Sequence, residues 1–248
     1  MQHPTSCESW RGSCGSAWAT AGLSAAFPGS TVLGASTAGE FTQDRDAKGS
    51  TAAFVLAGDY RVFAGIGDGL KATPERAVAR AVEGLPASLH GYPHRTALLL
   101  LDPLAGNGEE ATLLAAAHLG ADVRLAGGAA GDDLHMKSTL VACGPRAASD
   151  AVVIAVVFSK SPLGVGVCHG HQPVSPQLRV TRAEGNVVRE IEGRPAWEIW
   201  LEHTAHLARQ HGYEAGRMTS EQEARTFCAT RPASRPAAST RSARLRDE

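Results

Sequence analysis

Two stretches of the sequence place hydroxyl and carboxylate side chains among small residues, each directly after a short apolar run. The first is Gly34-Ala35-Ser36-Thr37-Ala38-Gly39-Glu40, which follows Thr31-Val32-Leu33. The second runs from Leu125 to Asp133 and has the sequence Leu-Ala-Gly-Gly-Ala-Ala-Gly-Asp-Asp. Its first residue is also the last residue of the short run Val123-Arg124-Leu125. Glycine permits positive φ angles and close backbone approach, and Ser and Thr add compact donors and acceptors. A strand that opens into such a loop indicates a cradle for a small molecule, and a tight turn at a strand end is the simpler alternative.

The chemistry of the two loops predicts the kind of ligand. Backbone N–H groups, together with the hydroxyls of Ser36 and Thr37, would bind a carboxylate, and the acids would bind an amine. An amino-acid-like zwitterion suits that arrangement. The candidate ligand-binding residues are Gly34, Ser36, Thr37, Gly39 and Glu40 in the first loop, and Gly127, Gly128, Gly131, Asp132 and Asp133 in the second.

Other residues in the chain were weighed for catalytic, metal or cofactor chemistry. Ser36 lacks the G-x-S-x-G context of a nucleophile elbow, so a hydrolase or transferase using Ser36, Thr37 or Cys168 is kept as the alternative function. The cluster Cys168-His169-Gly170-His171 has no third ligand at convincing spacing, so no metal is predicted. The stretch Gly65-Ile66-Gly67-Asp68-Gly69 has leucine where a dinucleotide fingerprint needs its next glycine, which favours a glycine-relieved hairpin or strand bend and no cofactor.

The composition sets further bounds on the class of protein. The chain has 248 residues, is 43% hydrophobic and carries a net charge of −1, which argues against a nucleic-acid partner. The five cysteines form no CxxC pair and are expected to be reduced thiols. No signal peptide is visible, and the longest strongly apolar run, Ala151 to Phe158, is too short for a bilayer. A cytoplasmic protein without membrane insertion is expected.

Hydrophobic periodicity and capping residues predict a mixed α/β (α+β) fold, in which strand-rich mixed sheets carry flanking helices. Helices are predicted at 17–27, 74–84, 108–119 and 195–210. Strands are predicted at 31–33, 51–57, 60–66, 98–101, 123–125, 139–141, 151–158 and 163–168, with a hairpin within 178–191. The helix from 195 has a stripe of Trp197, Trp200, Leu201, Thr204 and Ala208, interpreted as a face packed on a sheet.

The two halves of the chain also look alike. The segments 51–56 and 151–156 have parallel apolar patterns, and so do 64–67 and 163–166, each pair about a hundred residues apart. This pattern indicates two duplicated half-domains that each present a glycine loop. A composition rich in Gly and Ala explains the likeness equally well.

Three ordered motifs resemble the FIST sensory-domain family. They are Val32 to Glu40, then Leu125 to Asp132, and most specifically Val180 to Ala196, which is similar to the family segment VT-x-A-x-G-N-x-V-x-E-L-D-G-x-P-A. Ile191-Glu192 stands where the family has Leu-Asp. The resemblance covers roughly residues 20 to 205. It implies a non-catalytic module that binds a small molecule, such as an amino acid or derivative, in bacterial signalling with a downstream partner protein.

The resemblance also suggests how the chain is organised. Residues 1–16 are expected to be an irregular N-terminal segment, 17–194 the FIST N-terminal-like domain, and 195–212 a helix that begins the FIST C-terminal region. Residues 213–248, rich in Arg, Pro, Ala and Ser, are expected to be disordered and to stand where relatives continue into a second half. An interaction scaffold built on the tryptophan helix is a third hypothesis for the function.

Overall fold

The computed structural model describes residues 14–42, 44, 46–47, 49–167, 173, 175–185, 187–214, 216–219 and 222. In chain order the elements are α1 (Cys14–Ala26), β1 (Leu33–Ala35), β2 (Glu40–Phe41), β3 (Asp46–Ala47), β4 (Tyr60–Asp68), α2 (Pro74–Val82), β5 (His94–Leu101), a 3-10 turn (Pro103–Ala105), α3 (Gly108–Leu119), β6 (Arg124–Ala129), β7 (Val141–Cys143), β8 (Arg146–Ala148), β9 (Ala151–Ser159), β10 (Val180–Glu184), β11 (Val187–Ile191), β12 (Arg194–Pro195) and α4 (Ala196–Gln210). The predicted mixed α/β fold is confirmed. The chain divides into two compact units, Met1–Gly166 and Val167–Glu248.

The first unit is built on a four-stranded sheet in the order β4-β9-β5-β6. The central strand β9 is antiparallel to both β4 and β5, and β6 is parallel to β5. Every residue of β9 is buried, which explains its unbroken apolar sequence, since a strand covered on both faces has no polar side to alternate with.

Helices α2 and α3 cover one face of this sheet, and α2 lies directly on β4. Two glycines of β4 make that contact possible. A Cβ at Gly67 would lie 1.8 Å from the carbonyl oxygen of Ala77, and one at Gly65 would lie 2.3 Å from that of Ala81. The glycine pair therefore serves close helix packing within a continuous strand, and the predicted hairpin or strand bend is wrong.

A second, three-stranded sheet in the order β1-β7-β8 lies on the other side of the first unit. Its residue Val141 packs with Ala151 and Val153 of β9 in a second apolar cluster. Helix α1 contacts β1, β7 and β8. Gly34 lies in β1, where a Cβ would be only 2.3 Å from the Thr20 methyl group of α1. The small sheet thus ties the first predicted loop to the end of the main sheet.

The described residues of the second unit form the sheet β10-β11-β12 and helix α4, which contacts β11 and β12. The predicted hairpin within 178–191 is confirmed as β10 and β11. The buried positions of α4 are Ile199, Thr204 and Ala208. Trp197, which the sequence placed on the buried stripe, is 47% exposed and stacks on Trp200 with a centroid distance of 4.8 Å.

Two predicted strands do not form. Residues 51–57 belong to no strand and are exposed throughout, and residues 163–167 also belong to no strand. Their β-branched and aromatic residues favour an extended backbone, but a strand also needs a hydrogen-bonding neighbour. The remaining residue of the second prediction, Cys168, lies outside the described residues.

The proposed duplication is not reproduced by the structure. Segment 51–56 is unpaired whereas 151–156 is the core of the central strand, and 64–67 lies in β4 whereas 163–166 lies in no strand. The shared composition is therefore the better explanation. The four predicted helices are present as α1 to α4, within a few residues of their predicted ends. The expectations for residues 1–13 and for the tail beyond 222 lie outside the described residues.

Candidate functional site

The first predicted loop begins at Ser36, a buried residue with 5% exposure. Its backbone N–H donates to the carbonyl oxygen of Leu140 at 2.9 Å, and its Oγ accepts from the Leu140 N–H at 2.9 Å. Since both polar groups are held by Leu140, Ser36 fastens the first loop to the segment that leads into β7. A buried Oγ engaged in this way is not presented to a substrate as a nucleophile.

Glu40 closes the first loop on itself. Its Oε1 accepts a hydrogen bond from the Thr37 hydroxyl, and its Oε2 accepts from the backbone N–H and Oγ of Ser50 at 3.2 and 2.8 Å. The Thr37 hydroxyl, followed by Ser50, lowers the pKa of Glu40 below its usual range. Gly39 has a φ of +144°, a conformation that favours glycine.

The second predicted loop begins later than the sequence indicated. Gly127 and Gly128 lie within β6, paired with Leu99 and Leu100 of β5. A Cβ at Gly127 would lie 1.9 Å from the Leu99 carbonyl oxygen, whereas one at Gly128 would meet nothing within 4 Å. Gly127 is therefore required for strand packing, and the loop itself starts near Gly131.

The two loops touch at Gly131. Its N–H donates to the Ser36 carbonyl oxygen at 2.7 Å. A Cβ there would lie 2.9 Å from the nitrogen of Ala38 and 3.1 Å from the carbonyl carbon of Thr37. Strands β1 and β6 belong to different sheets. The contact arises from the packing of one sheet on the other.

Asp132 organises the second loop. Its Oδ1 accepts from the N–H of Met136 at 2.9 Å, and its Oδ2 from those of Lys137 and Ser138 at 2.6 and 3.0 Å. Burial raises the pKa of Asp132, but these three backbone donors outweigh it and leave the pKa below its usual value. Asp133, Leu134 and Met136 have φ of +60°, +66° and +54°. A backbone held in such conformations stores strain that the surrounding contacts must hold in place.

An open groove of about 590 Å³ lies beside the two loops. It is bounded by the end of β4, the segment before β7, strand β8 and the turn before β9. Its lining residues are Asp68, Gly69, Ser138, Leu140, Arg146, Ala147, Ala148, Ser149 and Asp150. Two of these, Ser138 and Leu140, are the residues held by Asp132 and Ser36. The two predicted loops therefore support one wall of the groove.

Comparison with known proteins places this fold in a family. The FIST N domain family matches residues 16–194, which is well over half of the chain. The chain belongs to the FIST N domain family. FIST domains are sensory domains of signal transduction.

The FIST domain is also similar to an uncharacterized protein, MJ1623, of Methanocaldococcus jannaschii. The two are 34% identical over 80 residues, which is 32% of this chain and 16% of that protein. The chain thus spans a small fraction of the length of this relative. The division between the two compact units, after Gly166, lies inside the range that the family matches.

Asp102 of the FIST domain also supports the groove, and it was not among the site residues predicted from the sequence. The residue is only 4% exposed. Its Oδ1 accepts from the Leu104 N–H at 2.8 Å and from the Thr139 hydroxyl, and its Oδ2 accepts from the Asp150 N–H at 2.6 Å. A buried carboxylate with all these donors fixes both segments that border the groove. An acid directly after a fully apolar strand is the signal that could have indicated it.

Asp68 and Arg146 were also missed, because nothing in the local sequence marks them. They form an ion pair across the groove through Asp68 Oδ2. Among the described residues, no group of three or more His, Cys, Asp or Glu could hold a metal ion, and no helix is long and apolar enough to cross a membrane. Cys168, His169 and His171 lie outside the described residues.

Proposed function

We propose that this FIST domain binds a small molecule in the groove without chemical turnover, and that the two loops carry the signal of binding. The observation that supports this proposal is the shared wall. Ser138 and Leu140 line the groove, and their N–H groups are held by Asp132 Oδ2 and Ser36 Oγ. A ligand that displaces or stabilises this wall therefore acts directly on both loops.

The predicted ligand-binding residues take two roles in this proposal. Ser36, Gly131 and Asp132 hold the wall of the groove, while Gly34 and Gly127 permit the close packing that places the loops. The other members of the predicted set, Thr37, Gly39, Glu40, Gly128 and Asp133, complete the loops around them. The ligand proposed from the sequence, an amino acid or a derivative, remains the first class of compound to test.

The strained second loop is the element proposed to respond. A ligand shifts a conformational equilibrium only by its difference in affinity for the two states. The Asp132 carboxylate holds this loop in part by accepting from the N–H of Met136, the last residue of the run of positive φ angles at Asp133, Leu134 and Met136. A change at Ser138, which donates to the same carboxylate, would alter that hold. A downstream signalling protein that contacts this loop would then read the change.

The test is a thermal-shift screen of amino acids, small carboxylic acids and amines. A ligand at a hundred times its dissociation constant should stabilise the fold by about 2.7 kcal/mol, a melting shift of roughly 5–10 °C for a chain of this size. Ser36→Ala, which leaves the Leu140 N–H without its acceptor, should weaken binding. Ser50→Ala is the control. It removes a hydroxyl that donates to Glu40 and should leave ligand binding unchanged.

Two results would count against this proposal. One is the absence of any shift with folded protein across the whole panel. The other is a shift that Ser36→Ala leaves unchanged, since it would place the ligand away from this wall. Consumption of the ligand, lost on Ser36→Ala, would favour the alternative of an enzyme.

A second candidate function is an interaction surface on α4. Trp197 is 47% exposed and stacks on Trp200, with an angle of 11° between the rings. Exposed tryptophan is enriched at protein interfaces. Trp197→Ala, with the circular dichroism spectrum unchanged, should abolish capture of a signalling partner if this surface is used, and unchanged capture would contradict it.

A further inference from the structure

The segment 51–57, which precedes β4, is apolar and exposed along its whole length. It has the sequence Thr-Ala-Ala-Phe-Val-Leu-Ala, and it belongs to no strand. Phe54 is 89% exposed, Val55 78% and Leu56 43%. Single apolar side chains on a surface are ordinary, whereas large exposed ones in succession mark a contact with another molecule.

The segment is attached at both ends. Before it, the N–H and Oγ of Ser50 both donate to Glu40 Oε2, at 3.2 and 2.8 Å. After it, the chain turns at Gly58, where φ is +137°, and continues into β4. Phe41 follows Glu40 directly, is 81% exposed and lies close to the start of the segment. Because both ends are held, less conformational entropy is lost when another chain binds here.

The composition of the segment leaves it open to strand pairing. Phe54, Val55 and Thr51 are of the types that favour strands. Proteins protect exposed strands from pairing with other chains by placing lysine, other charged residues or proline in them. Residues 51–57 contain no charged residue and no proline. The segment therefore has the propensity to pair and lacks the residues that prevent it.

The order of the residues fits a second copy of the same segment. In an antiparallel pair with Phe54 opposite Phe54, Val55 of each copy faces Ala53 of the other, and Leu56 faces Ala52. Each large aliphatic side chain thus meets a small one, and cross-strand pairs of this kind stabilise a sheet. Such a pair has two-fold symmetry, which is the commonest symmetry of protein dimers. No like charges oppose each other within it.

The apolar surface at this place is large enough for a dimer. A buried aromatic side chain removes about 150–250 Å² from water, so Phe41 and Phe54 of two copies together supply roughly 600–1,000 Å². A specific interface needs about 1,000 Å². The backbone and the aliphatic side chains of the two segments add to the aromatic contribution.

We propose that two copies of this chain associate through residues 51–57, which pair as antiparallel strands about Phe54. Phe41 of each copy covers the end of the paired strands. This surface precedes β4 and lies outside the lining of the groove, so the inference goes beyond the proposed ligand site and does not depend on it.

The experiment is sedimentation velocity of the full chain over a wide range of concentration, with a thiol reductant present. The unmodified chain should form dimers as its concentration rises. Phe54→Lys should weaken this association by about tenfold or more, because an aromatic contact is lost and two like charges face each other. Leu113→Lys is the matched control. Leu113 is 65% exposed on α3, and its replacement by lysine should leave the dimer unchanged.

A mixture of two variants tests the register. Phe54→Lys and Phe54→Glu should each be monomeric alone, and an equimolar mixture should form dimers, because opposite charges then face each other at position 54. Circular dichroism checks that the variants are folded. Hydrogen exchange of the unmodified chain needs no variant: the amides of residues 51–57 should exchange more slowly as the concentration rises.

Four results would overturn the inference. They are a monomer at every concentration, a dimer that Phe54→Lys leaves unchanged, a mixture of the two Phe54 variants that stays monomeric, and assemblies larger than a dimer. Exchange in residues 51–57 that does not depend on concentration, in protein that dimerises, would place the interface elsewhere and contradict it as well.

Discussion

The amide nitrogen of Gly131 donates a 2.7 Å hydrogen bond to the carbonyl oxygen of Ser36. This bond joins the ends of two strands that belong to different sheets, β6 of the main sheet and β1 of the small sheet. Ser36 is in turn fastened to Leu140, which lines the groove. A single chain of contacts therefore runs from one loop through the other to the wall of the proposed ligand site.

The first prediction concerns the space at that junction. Gly131→Ala should lower the free energy of unfolding by about 1–3 kcal/mol, because its Cβ would lie 2.9 Å from the Ala38 backbone nitrogen. Gly164→Ala is the control, since a Cβ at Gly164 meets nothing within 4 Å. Urea unfolding of both variants checks the prediction. Equal midpoints would mean that the two loops are not in close contact.

The second prediction compares two neighbouring glycines of β6. Gly127→Ala should destabilise the fold by about 1–3 kcal/mol, because its Cβ would lie 1.9 Å from the Leu99 carbonyl oxygen. Gly128→Ala should be nearly neutral, since a Cβ at that position meets nothing within 4 Å. Thermal melts of the two variants make the comparison. A Gly128→Ala variant as unstable as Gly127→Ala would contradict the strand geometry described for β6.

The third prediction concerns pH and Asp132. Burial raises the pKa of this carboxyl, but hydrogen bonds from the N–H groups of Lys137, Ser138 and Met136 lower it by more. The folded-state pKa therefore lies below its usual value. Such a group stabilises the fold fully above its unfolded-state pKa, about 3.9, and the stabilisation is lost as pH falls through the lower folded-state pKa. Asp132→Asn should therefore be less stable than the unmodified protein at pH 7.

The stability difference between Asp132→Asn and the unmodified protein should shrink as the pH falls below about 4. Melting temperatures measured from pH 7 to pH 3 test this, with Asp44→Asn, an exposed residue, as a control for the change of charge. A difference that stays constant across that range would show that the carboxylate charge is not what holds the second loop.

The sequence predicted the helices well because their signals are local. Hydrophobic periodicity and capping residues predicted a helix at 74–84, and α2 is observed at Pro74–Val82 with Ala77, Val78 and Ala81 buried. The segment Thr51–Ala57 was predicted as a strand on the same kind of local signal. It does not pair, because β-propensity specifies an extended backbone and leaves the neighbour to tertiary packing.

The site was only partly accessible to sequence reasoning. Hydroxyl, acidic and glycine residues after two apolar runs identified the loops that meet at Gly131. The Asp68–Arg146 pair could not be predicted, since 78 positions separate its members and only the packing of the small sheet on the main sheet brings them together. The sequence indicated that Gly127 permits close backbone approach, which is correct. This property serves strand packing within β6 and not a loop.

The most direct test of ligand sensing in the groove is a spectrum of backbone amides recorded during titration of the folded protein. The panel is the one of amino acids, small acids and amines. A binding compound should shift the amides of Gly69, Ser138, Leu140 and Asp150, which line the groove, and leave Tyr92, near the opposite end of β4, unchanged. Shifts confined to residues outside the groove, or no shift with any compound, would contradict the proposal.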